Sequence, residues 1–176
     1  MAVLSFEVRN TTEVNDEAQP YLLLEAIPLV DGIPLVPGFL FDATMVLAAG
    51  LRSQELHFFT CACGVPGCAD FHYEPKLEVT DSTVTWLFPE SPYRTRINPE
   101  LRGQDRPLCF EFDRSAYAHA LAQLRAVVLE AAYQAEIPVC LSPDLGFDLE
   151  TPLVQKLDDA YQWSIQMAPS FNQQPG

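Results

Sequence analysis

A chain of 176 residues with 48% hydrophobic content is long enough to bury a core and too apolar to remain disordered. Its formal net charge of -14 is spread along the sequence, repels nucleic acid and anionic lipid, and attracts basic partners. No apolar run approaches the roughly 20 residues of a membrane span, and no basic stretch followed by a long apolar core opens the chain, so the expected location is the cytoplasm.

Ala2 to Arg9 alternates and predicts a strand, and the polar, acidic stretch Asn10 to Gln19 predicts a loop. Tyr21 to Val30 is strongly apolar and leads into Asp31-Gly32, a dipeptide suited to the positive φ angles of a tight turn. Ile-Pro-Leu-Val stands on both sides of that dipeptide, which predicts a short hairpin or kinked return with an edge where proline cannot donate. Phe39 to Leu51 carries a helical stripe closed by Gly50. Glu55 to Thr60, Phe71 to Thr80 and Thr83 to Phe88 predict three strands of an antiparallel meander.

Pro89 to Pro107 reads as a long excursion holding Arg94, Arg96, Arg102 and Arg106, either solvated against the surrounding acid or a contact loop. Leu108 to Phe112 alternates as a strand. Asp113 is placed to cap a helix over Arg114 to Ala135, whose inward stripe is Tyr117, Leu121, Leu124, Val128 and Ala131. Val139-Cys140-Leu141 predicts a short strand. Thr151-Pro152 opens a last helix with Leu153, Leu157, Tyr161 and Ile165 on one face. Cys109 and Cys140 read as core, Trp86 and Trp163 as core or half-buried anchors, and His119 as exposed. The expected fold is α+β: an antiparallel sheet of about four to six strands covered on one face by two to three helices. Residues 1–170 would form one domain and 171–176 a frayed tail.

The most specific local feature is Cys61-Ala-Cys63-Gly-Val-Pro-Gly-Cys68-Ala-Asp-Phe-His72. Three thiolates and an imidazole supply the ligand count of a closed tetrahedral zinc site, so Cys61, Cys63, Cys68 and His72 are the candidate ligands of a structural zinc. Free thiols or metal ligands are also what a reducing compartment favours over disulfides. The spacing departs from the usual C-x2-C knuckle. His57 is an alternative fourth ligand, because positions 57, 59, 61 and 63 share a strand face. A straight strand would hold it ~13 Å from Cys61, so a bend is required. Reduced cysteines filling a tight buried turn, and a redox or catalytic use of the thiols, remain open alternatives. Asp144, Asp148 and Glu150 form a small acidic cluster that reads as a solvated turn. The chain has no G-x-S-x-G, phosphate loop, G-x-G-x-x-G or H-E-x-x-H.

The run Phe59-Thr60-Cys61-Ala62-Cys63-Gly64-Val65-Pro66-Gly67-Cys68-Ala69, followed by the strand Val84-Thr85-Trp86, resembles a C-x-C-G-x-x-G-C signature of uncharacterised small bacterial proteins. That resemblance implies no activity. In class rather than motif, the small acidic chain is similar to the immunity proteins of antibacterial toxin systems. The expected function is therefore a non-enzymatic binding protein that meets a basic protein partner such as a toxin, with no nucleic acid and no membrane. The alternative is a zinc-dependent enzyme or a metal or redox sensor built on Cys61–His72.

Overall fold

The longest pairing joins strand β1 (Leu4–Val14) to β2 (Pro20–Val30), antiparallel from Leu4 opposite Val30 to Val14 opposite Pro20. The computed structural model describes residues 1–60, 74–103, 108–142 and 149–167. β1 therefore runs five residues beyond Arg9, through a stretch whose polarity alone predicts a loop. Its distal side chains are exposed, and the ladder to β2 holds it extended. Leu24, Ala26, Pro28 and Val30 put every second residue of β2 into the core.

Asp31 and Gly32 both take positive φ, +52° and +79°, and turn β2 onto the short β3 (Ile33–Pro34). Asp31 also ties down the start of the chain: its Oδ1 accepts from Val3 N at 2.8 Å, and its own N–H donates to Val3 O at 2.8 Å. Pro28 O accepts from Leu35 N, so its backbone faces away from β1. The N–H it lacks falls between the register of β10 (Val139–Leu141) and that of β3, where that side of β2 needs no donor.

The α+β class expected from sequence is the class the chain adopts. Among the described residues the strands lie in three sheets. The first orders β1-β2-β10, with β3 also on β2 and β10 parallel to it. The second pairs β4 (Leu40–Phe41) with β6 (Phe59–Thr60). The third orders β5 (Gln54–Glu55), β7 (Lys76–Val79), β8 (Thr83–Phe88) and β9 (Leu108–Asp113), all antiparallel. Ala2 bridges the first and third sheets, pairing parallel with Phe112 and donating to Glu111 O at 2.7 Å.

Helix α1 (Ala43–Ala49) is shorter than its stripe predicts, because Asp42 caps it by accepting from Met45 N at 2.9 Å and Leu40–Phe41 pair as strand. The described part of the proline-rich excursion, residues 89–103, is largely helical. Helix α2 (Glu90–Arg96) accommodates Pro92 in its first turn, where the missing N–H would be an orphan anyway. A 3-10 turn, Pro99–Leu101, follows. Tyr93 and Ile97 anchor the stretch in the core. Arg94 donates to Gly103 O and Arg102 to Ile97 O and Thr95 O, within the stretch, whereas Arg96 lies over the ring of Phe39 outside it; Arg106 lies outside the described residues.

Helix α3 (Arg114–Gln134) buries Tyr117, Leu121, Leu124 and Val128 as expected, plus Ala120, leaves the expected Ala131 half-buried, and packs on β1, β8 and β9. Helix α4 (Leu153–Met167) packs on α1 and buries Leu153 and Leu157. The rest of its expected inward stripe is less covered: Tyr161 is partly exposed with the Arg52 guanidinium over its ring at 4.9 Å, and Ile165 is exposed, as is Trp163. At the centre lies Trp86, fully buried, with ring centroids of Phe58, Phe112 and Tyr117 at 4.8, 5.3 and 6.0 Å. Its Nε1–H donates to Tyr117 Oη at 3.2 Å, joining α3 to the third sheet. Among the described residues no helix is long and apolar enough to cross a membrane.

Candidate functional site

Two places bring ionisable side chains together, and both border the third sheet. The first is the stem from which the cysteine-bearing segment departs. β5 and β7 pair as Gln54–Leu77 and Glu55–Lys76, and Leu56 N donates to Pro75 O at 3.1 Å. The next opposed pair is His57 and Glu74, where Nε2 lies 3.1 Å from Oε1. The His57 side chain is largely covered, and its Nδ1 is enclosed with no hydrogen-bond partner among the described residues.

Beyond His57 the chain changes sheets. Phe58 O accepts from Asp42 N, and Phe59 and Thr60 pair with β4. Phe58, Phe59 and Thr60 are buried in succession, and the expected single strand Glu55–Thr60 is two short strands that pair in different sheets. Cys61, Cys63, Cys68 and His72, the candidate zinc ligands, lie outside the described residues, as do Asp144 and Asp148. Among the described residues no group of three or more His, Cys, Asp or Glu side chains is placed to hold a metal.

The second place is the solvent face of the same sheet. Alternation sends Leu77, Trp86, Phe110 and Phe112 inward and sends Lys76, Glu78, Cys109 and Glu111 outward. Register sets Glu78, Thr85 and Glu111 side by side across three strands. Lys76 is neutralised by Glu55 at 3.1 Å. Cys109 corrects the expectation that it is core: its neighbours Leu108 and Phe110 take the inward positions, and its thiol is exposed. Partial desolvation of this exposed thiol against the sheet, with Glu111 and Glu78 nearby, raises its pKa, so it is a poor nucleophile at neutral pH. Cys140, by contrast, is buried in β10 as expected.

Next to Cys109 opens a cavity of about 590 Å³ lined by Val30, Asp31, Glu100, Leu101, Leu108 and Cys109. It offers apolar walls with two carboxylate residues. The chain has no significant match among protein-family models, curated proteins or solved structures. The functional reading therefore stands on these residues alone.

Sequence reasoning singled out His57 but missed Glu74 opposite it, and it missed the Glu78–Thr85–Glu111 row. The only sequence signal for that row is the outward parity of each strand. Which outward residues become neighbours is decided by register, and register depends on long-range pairing.

Proposed function

We propose that this chain is a non-enzymatic acidic binding protein, most concretely an immunity protein that neutralises a cognate toxin by protein–protein contact. The observation that carries the proposal is the outward face of the third sheet, where Glu78 and Glu111 flank Thr85 and the nearby lysine is already paired. Clustered carboxylates of one sign steer a basic partner and raise its association rate. The adjoining cavity supports the same reading, since its apolar walls and the carboxylate residues Asp31 and Glu100 suit the stem and head of a Lys or Arg side chain. A structural zinc held by Cys61, Cys63, Cys68 and His72 belongs to the proposal as a support for the scaffold.

The test uses the protein as bait in its native host, beside a Glu78→Lys/Glu111→Lys variant. A basic protein retained by the parent and lost by the variant is expected. Its expression alone should arrest growth, and co-expression with this chain should restore it. Identical capture by parent and variant would refute the docking face. A captured partner without toxicity would refute the immunity reading.

A further inference from the structure

We infer that β1 pairs with β1 of a second copy of this chain, antiparallel and centred on Thr11. β1 is the end strand of its sheet, held on one side by β2. The even-numbered residues of β2 turn their backbone away from β1: Leu22 N donates to Pro138 O, while Leu24 O and Pro28 O accept from Ser142 N and Leu35 N. The register therefore commits the odd-numbered N–H and C=O groups of β1 to β2. Those of Val8, Asn10, Thr12 and Val14 point at the open edge, where they have no partner among the described residues. At Ala2 the same edge is filled by β9, because Ala2 N donates to Glu111 O. From Arg9 to Val14 every residue is exposed, and no proline, lysine or bulge blunts the edge. This edge belongs to the first sheet and the proposed docking face to the third.

The run Val8-Arg9-Asn10-Thr11-Thr12-Glu13-Val14 is complementary to its own reverse. A twofold axis through Thr11 sets Arg9 opposite Glu13 of the second copy and Glu13 opposite its Arg9. Asn10 then meets Thr12, and Val8 meets Val14, as the hydrogen-bonded pairs that the edge-facing backbone requires. Arg9 and Glu13 fall in the non-hydrogen-bonded pairs, where side chains stand closer and opposite charges stabilise the ladder. Glu13 makes no ion pair among the described residues. Arg9 gives Nε to Glu7 at 2.7 Å, and its guanidinium carries further N–H donors. Val14, 61% exposed, gains an apolar neighbour. Centring the pair on Arg9 would set that arginine against itself, and centring it on Asn10 would set Glu7 against Glu13. Centring it on Val8 would oppose Glu7 and Arg9 but lay the second copy along Leu4, which is buried.

The full-length chain is followed by sedimentation equilibrium under reducing conditions, from micromolar to millimolar concentration. Salt is held at about 0.15 M, where the Debye length of about 8 Å limits the repulsion between two acidic chains. The mass should rise from 19.6 kDa toward twice that value. Thr12→Pro removes an edge-facing N–H and none that bonds β2, so it should keep the parent's circular dichroism and stay monomeric. Arg9→Glu and Glu13→Arg each set like charges face to face and should each weaken association about 10-fold. An equimolar mixture of those two variants should recover the parent's association, because one heterodimer restores both opposite-charge pairs. Thr11→Cys, oxidised, should give a disulfide between the two substituted positions, found by peptide mass spectrometry, since residues opposed on the axis lie within disulfide reach. A parent that stays at 19.6 kDa throughout overturns the pairing and leaves the edge to a strand of another protein. A dimer that survives Thr12→Pro, or that forms no such disulfide, is joined elsewhere and overturns it too.

Discussion

Asp42 pulls in two directions. Its Oδ1 accepts from Met45 N at 2.9 Å and so caps α1, yet burial pushes its carboxyl up to about 6, against the lowering effect of the Met45 and Thr44 amides. In the unfolded chain the carboxyl has its ordinary value of 3.8. The folded state therefore holds the proton more tightly. The resulting stability is fully present below the unfolded value and is lost as pH rises through about 6. Asp42→Asn keeps an acceptor for the cap and removes the buried charge. It should be more stable than the parent by about 1–3 kcal/mol near neutral pH, with the advantage vanishing below about pH 4. Denaturant midpoints measured across that range check it, and a pH-independent difference would show that the burial of Asp42 does not govern its proton. Tyr117 gives a second test at this scale. Tyr117→Phe keeps the ring against Trp86 and Phe112 but leaves the indole N–H of a fully buried tryptophan without its acceptor. A loss of about 1–3 kcal/mol in chemical denaturation is expected, and an unchanged midpoint would mean that another acceptor takes over.

Helix α3 is the element most completely specified by its own residues. Asp113 Oδ1 accepts from Ala116 N at 2.9 Å and from Ser115 Oγ at 2.6 Å. Those bonds, Ser115 first, hold its carboxyl below the ordinary carboxylate value. Asp113→Ala should cost about 0.5–2 kcal/mol and Asp113→Asn much less, read from thermal or denaturant melts. Equal losses in both would point to the charge rather than the cap. Local signals were enough here, as they were for β8 and β9, because an i, i+4, i+7 stripe and a two-residue alternation are carried by neighbouring residues. They were not enough where a distant partner decides. Asn10 to Glu13 are polar on both faces and Val14 is exposed, and only the ladder to β2 keeps them extended. Tyr161 and Ile165 share a helical stripe with Leu157, but Tyr161 is covered only by the Arg52 guanidinium over its ring and Ile165 is exposed. Glu90 to Arg96 hides a helix behind four prolines in nineteen residues, since two of them sit before or within its first turn. The same limit applies to the site: His57 was visible as a donor, whereas Glu74 became its partner only through the antiparallel register of β5 and β7.

On the scale of the whole molecule, a net charge of -14 acts on any partner before contact is made. The Debye length shrinks from about 10 Å at 0.1 M salt to about 3 Å at 1 M. Long-range attraction should therefore be screened while short contacts in the cavity between Asp31 and Glu100 persist. These two contributions separate kinetically, because charge complementarity raises association rates and desolvated contacts set dissociation. For the basic partner of the proposed docking face, raising salt from about 0.05 to 0.5 M should slow association by at least about 10-fold. Dissociation should change far less. Glu78→Lys/Glu111→Lys should lower the association rate at low salt and flatten its salt dependence, because those two carboxylates stand in one register row of the sheet's outward face, on either side of Thr85. Surface plasmon resonance with captured partner reads both rates. A parent whose association rate ignores salt, or a variant that changes only dissociation, would mean that the acid on this sheet is solvated surface and that recognition lies elsewhere on the molecule.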